Sequence, residues 1–459
     1  MRRAHAPAPA RGETYARHEK VYPREVSGRF ARLRTLAVWG LLGIYYGLPW
    51  LQFHGRQAVL FDLPARRFYV FGLVLWPQDF IFLTWLLVLA GLSLFFFTAV
   101  GGRLWCGYAC PQTVWTELFV RIERWVEGDR ARQMKRDRGP WNVDKWLRKG
   151  TKQALWILLA LWTGVTFVGF FAPIGPLVGG ALNGELSGWA LFWSAFYAFA
   201  TYGNAGFLRE QVCKYMCPYA RFQSAMFDSG TLVITYDRAR GEPRGPHARE
   251  VDPRTIGQGD CIDCTLCVQV CPTGIDIREG LQYECIACAA CIDACDGVMD
   301  RIGRPRGLVR YASLAALEGR ELPVLRLRVL VYGGLLTLIA IAGLVALSLR
   351  SNVGLDVIRD RNVLYRDTAS GIDNVYSLKL LNKDERAHEF RISVEGLPGL
   401  TLDEASRVVR VGAGEVYSAP VRVIALNGAP HGVRAIRFTI TGTDDPRLYA
   451  TSASRFIAP

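Results

Sequence analysis

The residues in this chain whose spacing specifies chemistry are its twelve cysteines, which fall in four short motifs between Cys106 and Cys295. The denser two read Cys261-x-x-Cys264-x-x-Cys267-x-x-x-Cys271-Pro272 and, fourteen residues on, Cys285-x-x-Cys288-x-x-Cys291-x-x-x-Cys295. This is the spacing of bacterial two-cluster ferredoxins. Three thiolates two residues apart wrap one corner of an iron-sulfur cubane, and the fourth starts a helix that carries it to the other cluster. The ligands therefore cross: one 4Fe-4S cluster is expected on Cys261, Cys264, Cys267 and Cys295, the other on Cys271, Cys285, Cys288 and Cys291. The second motif ends in Asp296 where the first has Pro272, which alters the local turn and not the ligation. Two zinc ions are the competing use of eight thiolates, but zinc needs neither the triple spacing nor a crossed fourth ligand.

The other motifs are Cys106-Gly107-Tyr108-Ala109-Cys110-Pro111 and Cys213-Lys214-Tyr215-Met216-Cys217-Pro218. Thiols at i and i+4 share a helix face, so each motif is expected to form a two-sulfur clamp. Two clamps offer four soft ligands suited to Cu(I), to a further iron-sulfur cluster, or to a dithiol that cycles with a disulfide. Free cysteines are also often simply packed, but here the pair recurs with the same Tyr and Pro. A shift of 107 residues superposes the two motifs and lays the apolar segment from 79 onto that from 186. The repeat unit is helix, loop, helix, cysteine pair, and two such halves are expected to bring their pairs together. Met216 offers a thioether to copper, though packing is the simpler role.

These motifs need a scaffold, and the composition points to a membrane. At 459 residues the chain should hold two to four folded units. It is 51% hydrophobic and 21% charged with a mean hydropathy of +0.14, so its apolar residues must be segregated. Five stretches are long enough to span a bilayer: 35 to 52, 79 to 100, 153 to 173, 186 to 207 and 327 to 349. The segment 101 to 152 carries twelve Lys or Arg and 174 to 185 none, which places the former in the cytoplasm. The amino terminus, with nine Lys or Arg in 34 residues and no apolar run for a cleaved signal, is expected inside. Residues after about 350 are then periplasmic. The net charge of +14 crowds the ends of apolar segments and no nucleic-acid motif accompanies it.

The six histidines, His5, His18, His54, His247, His388 and His431, all fall outside the expected spans, so a haem held by paired imidazoles has no ligands there. Trp50, Trp76 and Trp105 read as an aromatic belt. Pro111 to Gly128 reads as an amphipathic surface helix, with Val114, Leu118, Ile122, Trp125 and Val126 opposite Glu117, Arg121 and Arg124. The basic stretch 129 to 150 reads as a surface linker. Beyond the last span the pattern turns to period two, as at Ile436, Phe438 and Ile440, and predicts a β-sandwich. The fold class is thus a multidomain membrane protein. It comprises a basic segment (1–34), a four-helix region with both clamps (35–230), an α+β two-cluster ferredoxin-like insert (231–326), a fifth helix (327–349) and an all-β domain (350–459).

Three runs, Leu60 to Asp79, Arg209 to Asp228 and Cys261 to Asp300, resemble the cytochrome c oxidase accessory proteins called CcoG, also known as FixG or RdxA. The resemblance extends over nearly the whole chain and implies that the β-domain is immunoglobulin-like. It further implies a role in assembling cbb3-type oxidase, by reducing Cu(II) to Cu(I) for insertion, with assembly factors and copper carriers as partners. Cys106, Cys110, Cys213 and Cys217 would then hold the copper, since thiolates prefer Cu(I). Electrons would come from an unidentified cytoplasmic donor by way of the two clusters. A quinol-oxidising subunit like the membrane ferredoxins of periplasmic nitrate reduction is one competing reading. A non-catalytic copper-binding scaffold is another.

Overall fold

The computed structural model describes residues 20–246, 252–320, 325–360, 364–368, 371–384, 386–403, 407–426 and 431–459. His5, His18 and His247 lie outside the described residues, as do residues 1–19 of the basic amino-terminal segment. The chain forms two compact units, Met1–Leu63 with Trp85–Ile339, and Pro64–Thr84 with Ala340–Pro459.

Among the described residues three helices are long and apolar enough to cross a membrane: Pro77–Gly101, Val143–Val168 and Leu327–Ser348. The other two expected spans are helical but differ in kind. The segment placed at 35 to 52 is the helix Arg29–Gly47, which begins early enough to take in Arg29, Arg32 and Arg34 and ends in the 3-10 turn Leu48–Trp50. The segment placed at 186 to 207 is the helix Gly188–Thr201 running directly into a π-helical stretch, Tyr202–Leu208. Gly206 in that widened turn lies against the Trp156 ring, where an added Cβ would stand 3.2 Å away.

The basic stretch 129 to 150 is not a linker. It forms the helix Arg130–Arg138 and the first turns of Val143–Val168, with Asp129 and Asn142 accepting from the Arg132 and Lys145 amides as N-caps. The helix Pro111–Glu127 also departs from its expected face. Trp125 is 79% exposed, whereas Phe119, Glu123 and Glu127 are buried. The cause is packing against Val143–Val168. Phe119 packs at a tilt against Trp156 with ring centroids 5.3 Å apart, and cations follow the acids inward: Lys152 lies 3.4 Å from Glu123 and 2.9 Å from Glu127. Arg209 and Lys20 complete the Glu123 cluster at 2.8 and 3.0 Å.

Burial pushes the Glu123 carboxyl up, but Arg209, Lys20 and Lys152 outweigh it and hold it down at about 2, below its ordinary 4.5. A depressed carboxylate stabilises the fold fully above its unfolded pKa and loses that contribution as pH falls toward the folded value; here the shift corresponds to about 3 kcal/mol. Glu123→Gln is therefore expected to lower the thermal midpoint of the detergent-solubilised protein by several degrees at pH 7, and the gap should close as pH falls below 4.5. A gap that ignores pH would show that the cations contribute nothing.

The helix Arg29–Gly47 has no cap of its own; its first amides donate instead to the Asp293 carboxylate, Phe30 N at 3.1 Å and Ala31 N at 2.7 Å. Asp293 belongs to Ala290–Arg301, the helix carrying Cys291 and Cys295. Gly28 permits the approach, because a Cβ there would stand 2.4 Å from Asp293 Cγ. A cap of this kind contributes about 1 kcal/mol. Asp293→Ala is expected to free the amino-terminal arm, read as faster proteolysis near residue 28 with the iron content unchanged.

In the second unit, two antiparallel sheets face each other. One runs Leu400–Leu402, Val416–Ala425, Gly371–Asn382, Val353–Arg359, with Arg366–Thr368 also on Gly371–Asn382. The other runs Val408–Val411, His388–Glu395, Gly432–Gly442, Tyr449–Ala458. The period-two reading is correct in register: Ile436, Phe438 and Ile440 point inward and meet Tyr376, whose ring lies 5.0 Å from that of Phe438. Trp76, expected in an aromatic belt, is instead buried in this unit with the Arg67 guanidinium 5.0 Å from its ring. Trp50 and Trp105 are exposed.

Candidate iron-sulfur and thiol site

The two ferredoxin-type loops share one backbone device. Asp263 and Thr265 around Cys264, and Ala287 and Ala289 around Cys288, are all left-handed, with φ of 52, 59, 53 and 58°. Such residues cost about 1–3 kcal/mol each and persist only where the surrounding structure imposes them. Alternating them with ordinary residues turns successive amides toward one centre, a concavity that suits an anionic cluster. One cavity is lined by Cys261, Cys264, Cys267 and Cys295, the first expected set, and a second by Cys271, Cys285, Cys288 and Cys291, the other expected set, together with Cys267.

The chemistry of the donors fits a cluster with positive irons. Burial pushes Cys267, Cys285 and Cys295 up to about 12 and Cys288 to about 11, so as bare thiols they stay protonated at neutral pH. Metal binding reverses that balance. Amides of Ala287 and Ala290 oppose the rise by donating toward Cys285 and Cys288. Four thiols around each of two cavities suit the four-sulfur cage of a 4Fe-4S cluster.

The clamps are not helical faces. Cys106 lies in the short helix Leu104–Tyr108, while Cys110 is extended (ψ 128°) just before Pro111; Cys213 lies in the π-helical Val212–Met216, and Cys217 is extended (ψ 109°) before Pro218. A proline disfavours the α conformation in the residue preceding it, so both second cysteines leave the helix. Met216 is 60% exposed rather than packed.

The two halves of the repeat nevertheless meet. Cys106 feels the charge of Cys110, Cys213 and Cys217, and burial, the largest effect, pushes it up to about 12. Cys213 rises likewise to about 11. Cys106 Sγ donates to Gln223 Oε1 at 3.3 Å, and Gln223 is fully buried. Both clamps abut the second cavity. Cys106 packs in one apolar cluster with Ile286 and Cys288. Gly107 lies so close to that loop that a Cβ would stand 2.7 Å from Ala287 O and 2.9 Å from Ile286 O. Lys214 Nζ donates to Thr273 O at 3.1 Å, and Arg103, buried beside Cys106, donates to Cys285 O at 3.4 Å. Tyr311 also holds the loop, donating to Ala287 O at 2.6 Å.

Reading the sequence missed Gly107, Arg103, Gln223 and Tyr311. One signal was available: the 107-residue shift aligns Gly107 with Lys214, and the two halves depart from each other where each touches the iron-sulfur region differently.

Comparison with known proteins places this geometry. Family models match at residues 208–314 (4Fe-4S dicluster domain), 81–129 (4Fe-4S binding domain) and 343–459 (the Ig-like fold at the C-terminus of FixG). Protein RdxB of Cereibacter sphaeroides is 44% identical over 434 residues, covering 91% of each chain. The chain belongs to the FixG/RdxA family. Nitrogen fixation protein FixG of Rhizobium meliloti is 40% identical, covering 87% of this chain and 84% of its own. Protein RdxA of Cereibacter sphaeroides is 43% identical, covering 84% of each. A solved FixG-related protein from Vibrio parahaemolyticus covers 24% of this chain and 97% of its own, at 30% identity and a TM-score of 0.21. This FixG/RdxA member is thus a membrane iron-sulfur electron-transfer protein, with two 4Fe-4S binding domains and a C-terminal Ig-like domain. The dicluster match takes in the eight ferredoxin-spaced cysteines together with Cys213 and Cys217, and the other covers Cys106 and Cys110.

Proposed function

We propose that this protein reduces Cu(II) to Cu(I) at the joined clamps, for copper delivery during assembly of a cbb3-type cytochrome c oxidase. Cys261, Cys264, Cys267 and Cys295 hold one 4Fe-4S cluster, and Cys271, Cys285, Cys288 and Cys291 hold the other. When bound, the clusters supply electrons one at a time, which is the stoichiometry of copper reduction. Cys106, Cys110, Cys213 and Cys217 hold the copper, and their sulfurs favour the softer Cu(I) product over Cu(II). The observation that carries this reading is the contact of both clamps with the cavity of Cys271, Cys285, Cys288 and Cys291, through Gly107, Lys214 and Cys106. The protein sits in a bacterial inner membrane with five spans. Its clusters face the cytoplasm, where a soluble donor reduces them, and its Ig-like domain faces the periplasm, where assembly factors and copper carriers dock.

One observation favours a second reading. The 4Fe-4S binding model at 81–129 takes in Cys106 and Cys110 without any ferredoxin-spaced cysteine, as it would if the clamps held a third iron-sulfur cluster. Anaerobic protein, reduced and then given one equivalent of Cu(II), separates the two. Copper reduction is expected at a rate that tracks cluster reoxidation, in protein with about eight irons per chain. About twelve irons with no copper reduction would establish the second reading.

A further inference from the structure

The first unit contains a cavity of about 250 Å³ that the proposed chemistry does not use, bounded by the amino-terminal arm, the helix Pro111–Glu127 and the second cysteine loop. Cys213 and Cys288 both reach its wall. Its lining holds five guanidinium groups against three carboxylates, Glu25, Glu117 and Glu210. Two are neutralised: Arg121 pairs with Glu117 at 3.1 Å and Arg209 with Glu123 at 2.8 Å. Three have no carboxylate partner among the described residues, namely Arg24, Arg34 and Arg124. Among the described residues Arg34 donates only to the Cys288 carbonyl, and Arg124 Nε is buried with no hydrogen-bond partner. An orphaned buried donor is unfavourable, and three guanidinia lining one space repel each other unless an anion joins them.

We propose that this cavity binds a small phosphate-bearing molecule, held by Arg24, Arg34 and Arg124 between the clamps and the second cysteine loop. Guanidinium forks match phosphate oxygens in pairs, and the volume, below that of a typical drug-sized pocket, suits a compact head rather than a long apolar tail. The inference is independent of whether the clamps hold copper. Phosphate chemistry can come from a soluble phosphorylated compound or from the headgroup of an anionic lipid.

The probe is radiolabelled pyrophosphate, in equilibrium dialysis against the full-length, anaerobically purified protein in detergent. Saturable binding to one site per chain is expected, weakened tenfold or more in Arg124→Gln and threefold or more in Arg24→Gln, with Arg306→Gln on a remote surface unchanged. Arg24 is exposed on the arm, so its variant tests the site even where Arg124→Gln fails to fold. Competition then identifies the source. Displacement by flavin mononucleotide marks a soluble ligand and displacement by phosphatidylglycerol micelles marks a headgroup, either supporting the site. Binding that is absent, that both variants leave intact, or that phosphatidylcholine displaces as well as phosphatidylglycerol does would overturn it.

Discussion

Serine at Cys110 or at Cys217 is expected to leave the reduced ferredoxin-type paramagnetic signals unchanged while lowering Cu(II) reduction by about a hundredfold or more. Loss of even an outer contact to a metal ligand costs about 10–100-fold, and here a soft thiolate is removed outright. The separation of effects follows from where the two cysteines lie. Each is extended, just ahead of a proline, outside both ferredoxin-type cavities. Cys110 additionally faces the first amides of Pro111–Glu127, where Thr113 and Gln112 oppose the rise that burial imposes on its thiol. Iron falling by about a third in these variants would transfer the clamps to a third cluster. Copper reduction surviving at the normal rate would remove the clamps from the chemistry.

Valine at Gly107 is expected to cost the protein about half its iron, with the losses confined to the cage of Cys271, Cys285, Cys288 and Cys291. The atoms a Cβ would meet are the Ala287 carbonyl oxygen and carbon, at 2.7 and 2.9 Å, and they are backbone atoms with no rotamer to escape into. Ala287 and Ala289 are already left-handed, with φ of 53 and 58°, and both are buried, so the loop has no slack to absorb the displacement. Overpacking of this sort costs about 1–3 kcal/mol where it can relax. Gly297→Ala, on the same iron-sulfur region with nothing within 4 Å of the added Cβ, should retain full iron. Equal iron in the two variants would mean that clamp and loop are not in contact.

The eight ferredoxin-spaced cysteines were legible because their chemistry resides in local spacing, and the loops that carry them are short enough for spacing to determine geometry. The sandwich was legible for the same kind of reason, since alternation along Gly432–Gly442 directly records which side chains face Tyr376. The helix Pro111–Glu127 was misread because Glu123 and Glu127 look like surface residues until Lys152 and Arg209 are known to lie beside them. Partners 25 to 86 residues away leave no mark in a helical period. The clamp geometry was misread for a local reason that the sequence did contain: Pro111 and Pro218 exclude the helical conformation from Cys110 and Cys217. The π-helical Tyr202–Leu208 had no such signal, because its widened turn answers to the ring of Trp156, far away in sequence.

Iron, acid-labile sulfide and zinc, counted together with the paramagnetic spectrum of full-length protein kept free of oxygen throughout, test the central claim most directly. Two cubanes on eight thiolates give about eight irons and eight sulfides per chain and, on reduction, a spectrum broadened by two clusters close enough to interact. Zinc in place of iron, or iron without sulfide, would contradict it.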